Sequence, residues 1–252
     1  MTIGAMVTGA GSGLGRAVAL GLARRGCRLA LVDIDAAAAR ALAGEIGAAT
    51  AIVQDLTAPC GPRAAVAGAI AALGRLDVVV NSAGFGAGEA FLDIDEAVWD
   101  RTLDVNLKAT AFICAAAGAH MKANGAGRIV NITSPASRMA LPNYMAYAAS
   151  KAGVDAVTRA AALALAPFGV RVNSVAPGMM DTPLQRVTER QLAAIEGRND
   201  VAVFLDERTR RIPIGRRVSP EVVAETVIWL ALDAPDYITA ERLNASGGLD
   251  RD

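Results

Sequence analysis

Ser134, Tyr147 and Lys151 stand at a spacing that suits proton transfer. Tyr147 and Lys151 are four apart, so on a helix they share one face, one turn from each other. A lysine ammonium near a phenol favours the phenolate. Moving a tyrosine pKa from about 10 towards 7 takes roughly 4 kcal/mol of differential interaction. A neighbouring ammonium together with a second positive charge can supply that in a water-poor site. A lone Y-x-x-x-K occurs often by chance, so its weight depends on its company.

The company begins at Thr8 with "TGAGSGLG", which has glycine at positions 9, 11, 13 and 15. The usual G-x-G-x-x-G fingerprint is absent, because Leu14 and Arg16 stand where its third glycine would fall. Gly9, Gly13 and Gly15, with Ser12 and Leu14 between them, still suit a tight turn that brings backbone N–H groups to a pyrophosphate at a helix N-terminus. Asp33 follows the next apolar run. A carboxylate there accepts hydrogen bonds from adenosine ribose hydroxyls and repels a 2′-phosphate, which favours NAD over NADP. As an alternative it caps the following helix, although Asp35 is better placed for that. Asp55, followed by Leu56, either meets the adenine ring or caps the next turn, and the sequence leaves both open. "NSAG" (Asn81, Ser82, Ala83, Gly84) offers a small-residue floor near the cofactor. "APGMMDTP" breaks the chain at Pro177 and Gly178, and its Thr182 is suited to a nicotinamide carboxamide.

Positioning these residues takes a particular set of elements. Short aliphatic runs at 3–7, 28–32, 50–54, 76–80, 128–132 and 170–175 alternate with Ala/Leu-rich segments of helical spacing near 14–25, 35–46, 62–73, 95–123 and 148–167. A seventh strand is predicted at 237–243. Continuous apolar strands separated by helices imply an α/β fold, a doubly wound parallel sheet of about seven strands covered on both faces. Ligands of such sheets bind beyond the carboxyl ends of the strands, where every residue named above falls. No composition shift marks a boundary within 1–252, so the chain reads as one Rossmann-type domain. The polar segment 183–213 is its irregular region.

The chain has 252 residues and a formal net charge of zero. By charge, neither nucleic acid nor an anionic membrane is a partner. No apolar stretch is long enough to span a bilayer, and the N-terminus lacks the pattern of a signal peptide. Cys27, Cys60 and Cys114 are widely spaced and show no metal-ligand pattern. They read as reduced thiols of a cytoplasmic protein. The one histidine, His120, reads as a surface or capping residue, which leaves a Ser-His-Asp triad without support.

Taken together, these motifs resemble the short-chain dehydrogenase/reductase family over essentially the whole chain. "TGAGSGLG" matches its T-G-x-x-x-G-x-G loop. "NSAG" is similar to its N-N-A-G, with Ser82 for the second Asn. "YAASK" matches Y-x-x-x-K, and "PGMMDTP" matches P-G-x-x-x-T. Asn106, in "LDVNLKAT", matches a fourth catalytic position. The resemblance implies that Tyr147 is the general acid/base and that Ser134 binds the substrate oxygen. It implies that Lys151 touches the nicotinamide ribose, and that Asn106 links to Lys151 through water. It also implies a homo-oligomer, tetramer or dimer, although Ala240 and Ser246 depart from the usual tail.

By position, 183–213 corresponds to a substrate lid, whose layout resembles that of polyol and diol dehydrogenases. Met139, Leu141, Met145, Met179 and Met180 suggest a pliable apolar pocket. Arg208, Arg210, Arg211, Arg216 and Arg217 suit an anionic substrate or a coenzyme A group. Interleaved with acids, they fit a solvated or subunit-contact face better. The expected function is NAD-dependent interconversion of a secondary alcohol (polyol, vicinal diol or sugar alcohol) and its ketone. The alternatives are a 3-oxoacyl thioester reductase and, of another class, a non-catalytic dinucleotide sensor.

Overall fold

The computed structural model describes residues 2–250. Seven parallel strands form one sheet: β1 (Gly4–Thr8), β2 (Arg28–Asp33), β3 (Ala49–Val53), β4 (Val78–Asn81), β5 (Gly127–Ile132), β6 (Val170–Pro177) and β7 (Arg242–Ala245). Their spatial order is β3-β2-β1-β4-β5-β6-β7. The chain winds outward from β1 to β3 and then returns to place β4 on the other flank of β1. The carboxyl ends of β1 and β4 therefore diverge into a crevice, the switch point of a doubly wound sheet.

Strand alternation divides the core into two layers. Ala5, Val7, Leu29, Leu31, Val78 and Val80 face α1 (Gly13–Arg24) and α9 (Pro220–Ile228). Met6, Ala30, Val32, Val79 and Ile129 face α3 (Gly61–Leu73), α5 (Ala109–Asn124) and α6 (Met145–Leu165). Asp35, not Asp33, caps α2 (Ala36–Ile46), accepting from Ala37 and Ala38 N–H.

Three elements differ from the pattern expected. The helix predicted over 95–123 is α4 (Glu96–Leu103) and α5, joined by a π turn at Asp104–Lys108. A π turn holds one extra residue, which the 3.6 period cannot reveal. Segment 183–213 is not irregular. It forms α7 (Pro183–Ile195) and α8 (Val201–Arg210), capped by Thr182 and Asp200 side chains. Their polarity hid them, because only a narrow stripe around Leu192, Ala193 and Phe204 is buried. The last strand starts at Arg242, not at 237. Tyr237 is fully exposed, and Ala240 turns the chain at φ 65°. No helix among the described residues is long and apolar enough to cross a membrane.

Candidate active site

Three elements bring Ser134, Tyr147 and Lys151 to one cleft. β5 ends at Ile132, and Ser134 caps a short turn over Pro135–Arg138, its hydroxyl accepting from Ala136 N–H at 3.2 Å. α6 carries Tyr147 and Lys151 one turn apart, as their spacing predicts. The Tyr147 phenol and the Ser134 hydroxyl line the same cleft, close enough for the hydroxyl to moderate the phenol's pKa. Lys151 Nζ donates to the Ile132 carbonyl at 2.8 Å and lies 5.6 Å from the Tyr147 ring centroid.

The electrostatics of the protein alone differ from the simple lysine-beside-phenol picture. Burial raises the Tyr147 pKa, and the Ser134 hydroxyl pulls it partly back. Burial lowers Lys151 to about 8, against the upward pull of Asp155. Dehydration penalises both charged forms. The ammonium expected to favour phenolate is itself weakened, and its hydrogen bond goes to the strand.

Asn106 sits in the π turn and is buried. Its amide donates to Phe85 O at 2.8 Å and to Ser150 Oγ at 2.9 Å, while its Oδ1 accepts from Phe85 N–H at 2.8 Å. The Ser150 hydroxyl donates to the Tyr147 carbonyl at 2.7 Å. The loop after β4 is thus pinned to the helix that carries Tyr147 and Lys151. The Asn106 carbonyl accepts from Thr110 Oγ1 at 2.7 Å.

Beside this group lies the glycine turn. Gly9 has φ +64°, and a Cβ there would stand 2.8 Å from Ala83 Cα. A Cβ on Gly15 would collide with the Gly9 carbonyl oxygen. Thr8 Oγ1 accepts from Ser82 and Ala83 N–H, each at 3.1 Å, and so joins the ends of β1 and β4. Asp33 accepts from Gly11 N–H at 2.7 Å and from Asp35 N–H at 2.9 Å. It shapes the turn and still has free lone pairs on both oxygens. Asp55 Oδ1 accepts from Thr57 N–H and Oγ1 at 2.8 and 2.7 Å, which holds its carboxyl below the ordinary range.

One cleft of about 860 Å³ is lined by both sets: Gly9, Ser12, Gly13, Leu14, Gly15, Asp33, Asp55, Leu56, Ala83, Gly84, Pro177, Gly178 and Thr182, and Ser134, Tyr147 and Lys151. Asn81 and Asn106 are not among its walls. The Asn81 amide is turned into the interior, donating to Asn131 Oδ1 at 2.8 Å and to Cys114 Sγ at 3.6 Å. Met139, Leu141, Met179 and Met180 line the cleft, but Met145 does not. His120 lies apart, its Nε2 accepting from Leu76 N–H at 3.3 Å.

Several neighbours of the site escaped the sequence reading. Tyr144 stacks on Tyr147 at 4.4 Å between ring centroids. Its i,i+3 spacing was a usable signal. Arg242 gave no such signal, because it comes from β7. Its Nη2 donates to the Ser134 carbonyl at 2.9 Å and to Ser137 Oγ at 3.3 Å, and its Nε lies 3.4 Å from Asp155. Its Nη1 pairs with Asp250 at 2.6 Å. One buried guanidinium therefore joins the backbone of Ser134 to the carboxylate one turn beyond Lys151.

A parallel sheet with a glycine turn at its switch point, and Ser, Tyr and Lys at the end of β5 and on α6, defines a dinucleotide-type oxidoreductase architecture. A profile of the family described as enoyl-(acyl carrier protein) reductase matches residues 9–250. D-threitol dehydrogenase of Mycolicibacterium smegmatis is 36% identical over 97% of this chain and 91% of its own length. Two crystal structures are each 32% identical. Actinorhodin polyketide ketoreductase with NADPH superposes with a TM-score of 0.92, covering 100% of this chain and 98% of its own. 3-Ketoacyl-(acyl-carrier-protein) reductase from Brucella melitensis, complexed with NADH, gives 0.87 over 98% and 97%. The chain belongs to the short-chain dehydrogenase/reductase family. It is an oxidoreductase acting on CH–OH groups.

Proposed function

We propose that this chain interconverts a secondary alcohol (a polyol, vicinal diol or sugar alcohol) and its ketone with a nicotinamide dinucleotide, NAD in preference to NADP. The observation that carries the reading is the convergence of Ser134, Tyr147 and Lys151 in the cleft that also holds the glycine turn. The turn suits a closely approaching dinucleotide by its tightness, since side chains on Gly9 or Gly15 would collide with neighbouring backbone. The free N–H groups at the start of α1 suit its pyrophosphate, and Asp33 suits a ribose without a 2′-phosphate. When bound, the dinucleotide supplies the hydride chemistry.

The residues of this chain supply position and proton transfer. In oxidation Tyr147 takes the proton of the substrate hydroxyl, and in reduction it returns it. Ser134 hydrogen-bonds the same oxygen. Lys151 holds the ribose and lowers the phenol's pKa once its own charge is restored by those contacts. Asn106 fixes α6 against the β4 loop and links through water to Lys151. Segment 183–213, now α7 and α8, serves as the substrate lid of one domain. Exposed Phe112 on α5 and Leu163 on α6 support a homo-oligomer built on these helices.

The test is NAD⁺ reduction, followed by absorbance, across polyols, diols, sugars and 3-hydroxyacyl thioesters, and again with NADP⁺. We expect turnover of a secondary alcohol with NAD⁺. Tyr147→Phe should lose about 10²–10⁴-fold in kcat while NADH binding, read by fluorescence, is kept. Turnover retained in Tyr147→Phe removes the acid/base role. Activity confined to thioesters replaces this reading with the 3-oxoacyl reductase, which the two ketoreductase neighbours support.

A further inference from the structure

Of the five arginines clustered at 208–217, two line the cleft: Arg208 from α8 and Arg211 just after it. Arg210 turns away and pairs with Asp206, and Arg216 is exposed. Arg217 is taken by buried Glu189, to which its Nη1 and Nη2 each donate at 2.8 Å. Glu189 also accepts from Gln185 Nε2 at 2.9 Å. It stands 3.5 Å from Arg208 Nε, which is buried and has no hydrogen-bond partner. Glu189 thus brings Arg208 close without satisfying it. Arg208 stands 5.5 Å from the centroid of the Phe204 ring. Arg211 has no ionic partner among the described residues. One buried carboxylate therefore serves two guanidiniums, and no cleft-lining residue of α7 or α8 is acidic.

This surplus lies close to the reacting end. Tyr144 stacks on Tyr147, and both line the cleft together with Thr188, the residue beside Glu189. Arg208 is near enough to Tyr144 to oppose the rise in its pKa that burial causes. The walls of the same cleft also carry the apolar side chains of Met139, Leu141, Leu184 and Leu192. A planar fork with unused donors matches a carboxylate in two-bond geometry.

We propose that the substrate is a hydroxy acid, whose carboxylate is bound by Arg208, with Arg211 at the rim, while its hydroxyl meets Ser134 and Tyr147. This deepens the secondary-alcohol reading and rests on it. The anion is taken as the carboxylate of a compact substrate and not a phosphate of a carrier thioester, because Arg208 and Tyr147 line one cleft and Tyr144, stacked on Tyr147, feels the charge of Arg208.

The probes are acetate, butyrate and cyclohexanecarboxylate, each against its primary amide, titrated calorimetrically into the NADH complex. At least one acid should bind tenfold or more tightly than its amide. That advantage should vanish in Arg208→Gln, persist in part in Arg208→Lys and be untouched in Arg210→Gln. With NAD⁺, 4-hydroxycyclohexanecarboxylate should exceed its methyl ester at least tenfold in kcat/KM. Should Arg208→Gln fail to fold, Arg208→Lys and Arg211→Gln, each expected to reduce the advantage, decide the matter. Acids and amides binding alike throughout, or an advantage indifferent to both arginines, overturns the proposal. So does binding of free coenzyme A, lost in Arg211→Gln, without any binding of the acids. An acid advantage without turnover of any alcohol sinks the proposed function and leaves the subsite. Turnover of neutral alcohols without the advantage does the reverse.

Discussion

The glycine turn and the α7–α8 helix pair line the same cleft but are built on opposite principles. The turn is a backbone device. Its shape follows from missing side chains at Gly9 and Gly15 and from the Thr8 hydroxyl that clips β1 to β4. The helix pair is a side-chain device. Its buried stripe is small, and its order rests on Glu189 held among Arg217, Gln185 and Arg208. The one is cast in backbone, the other in charged side chains on an otherwise ordinary helix pair.

The largest effect that would break this contrast is expected at Gly15→Ala. The added methyl meets the Gly9 carbonyl, a backbone atom that cannot swing aside. We expect a loss of about 3 kcal/mol in stability together with NADH binding, read by denaturant unfolding and fluorescence titration. A variant that binds NADH normally would show that the turn is not the cofactor cradle. Next comes Glu189→Gln, which strips the charge from a buried carboxylate between two guanidiniums. We expect a loss of about 2–3 kcal/mol, with faster amide exchange confined to α7 and α8 and NADH affinity within about twofold of the parent. If exchange rises equally around the glycine turn, the two parts are not independent.

The smallest effect sharpens the contrast at the reacting end. Lys151 titrates near 8 in the folded protein, below its ordinary 10.5. Between those values the unfolded chain holds a proton that the native one lacks, so stability rises with pH across that window. Below pH 8 the whole burial penalty acts. Lys151→Met removes the charge and also the donor to the Ile132 carbonyl. It should therefore stabilise the protein by about 1–2 kcal/mol at pH 7, an advantage that shrinks towards pH 10, while turnover is lost. Urea titrations at the two pH values check this. An unchanged or lower midpoint at pH 7 would mean that Lys151 is held charged by more than Asp155.

The sequence alone determined the alternating α/β plan, the strand ends as the walls of one cleft, the glycine turn, and the pairing of Tyr147 with Lys151. All of these are local: apolar periodicity, a missing Cβ, a four-residue spacing. Asp33 was legible as a residue at a strand end, but not as the acceptor that shapes the turn through Gly11. The π turn at Asn106 was invisible, because an extra residue in a helix leaves no mark on its composition. Helices α7 and α8 were obscured because charged pairs carry much of their order in place of a broad apolar face. Only the tertiary structure decided which arginines face the cleft, that Tyr144 stacks on Tyr147, and that Arg242 from the last strand braces Ser134 and Asp155. These contacts join residues up to 108 positions apart. Their partners are chosen by the order in which strands lie side by side, and no spacing along the chain records that order.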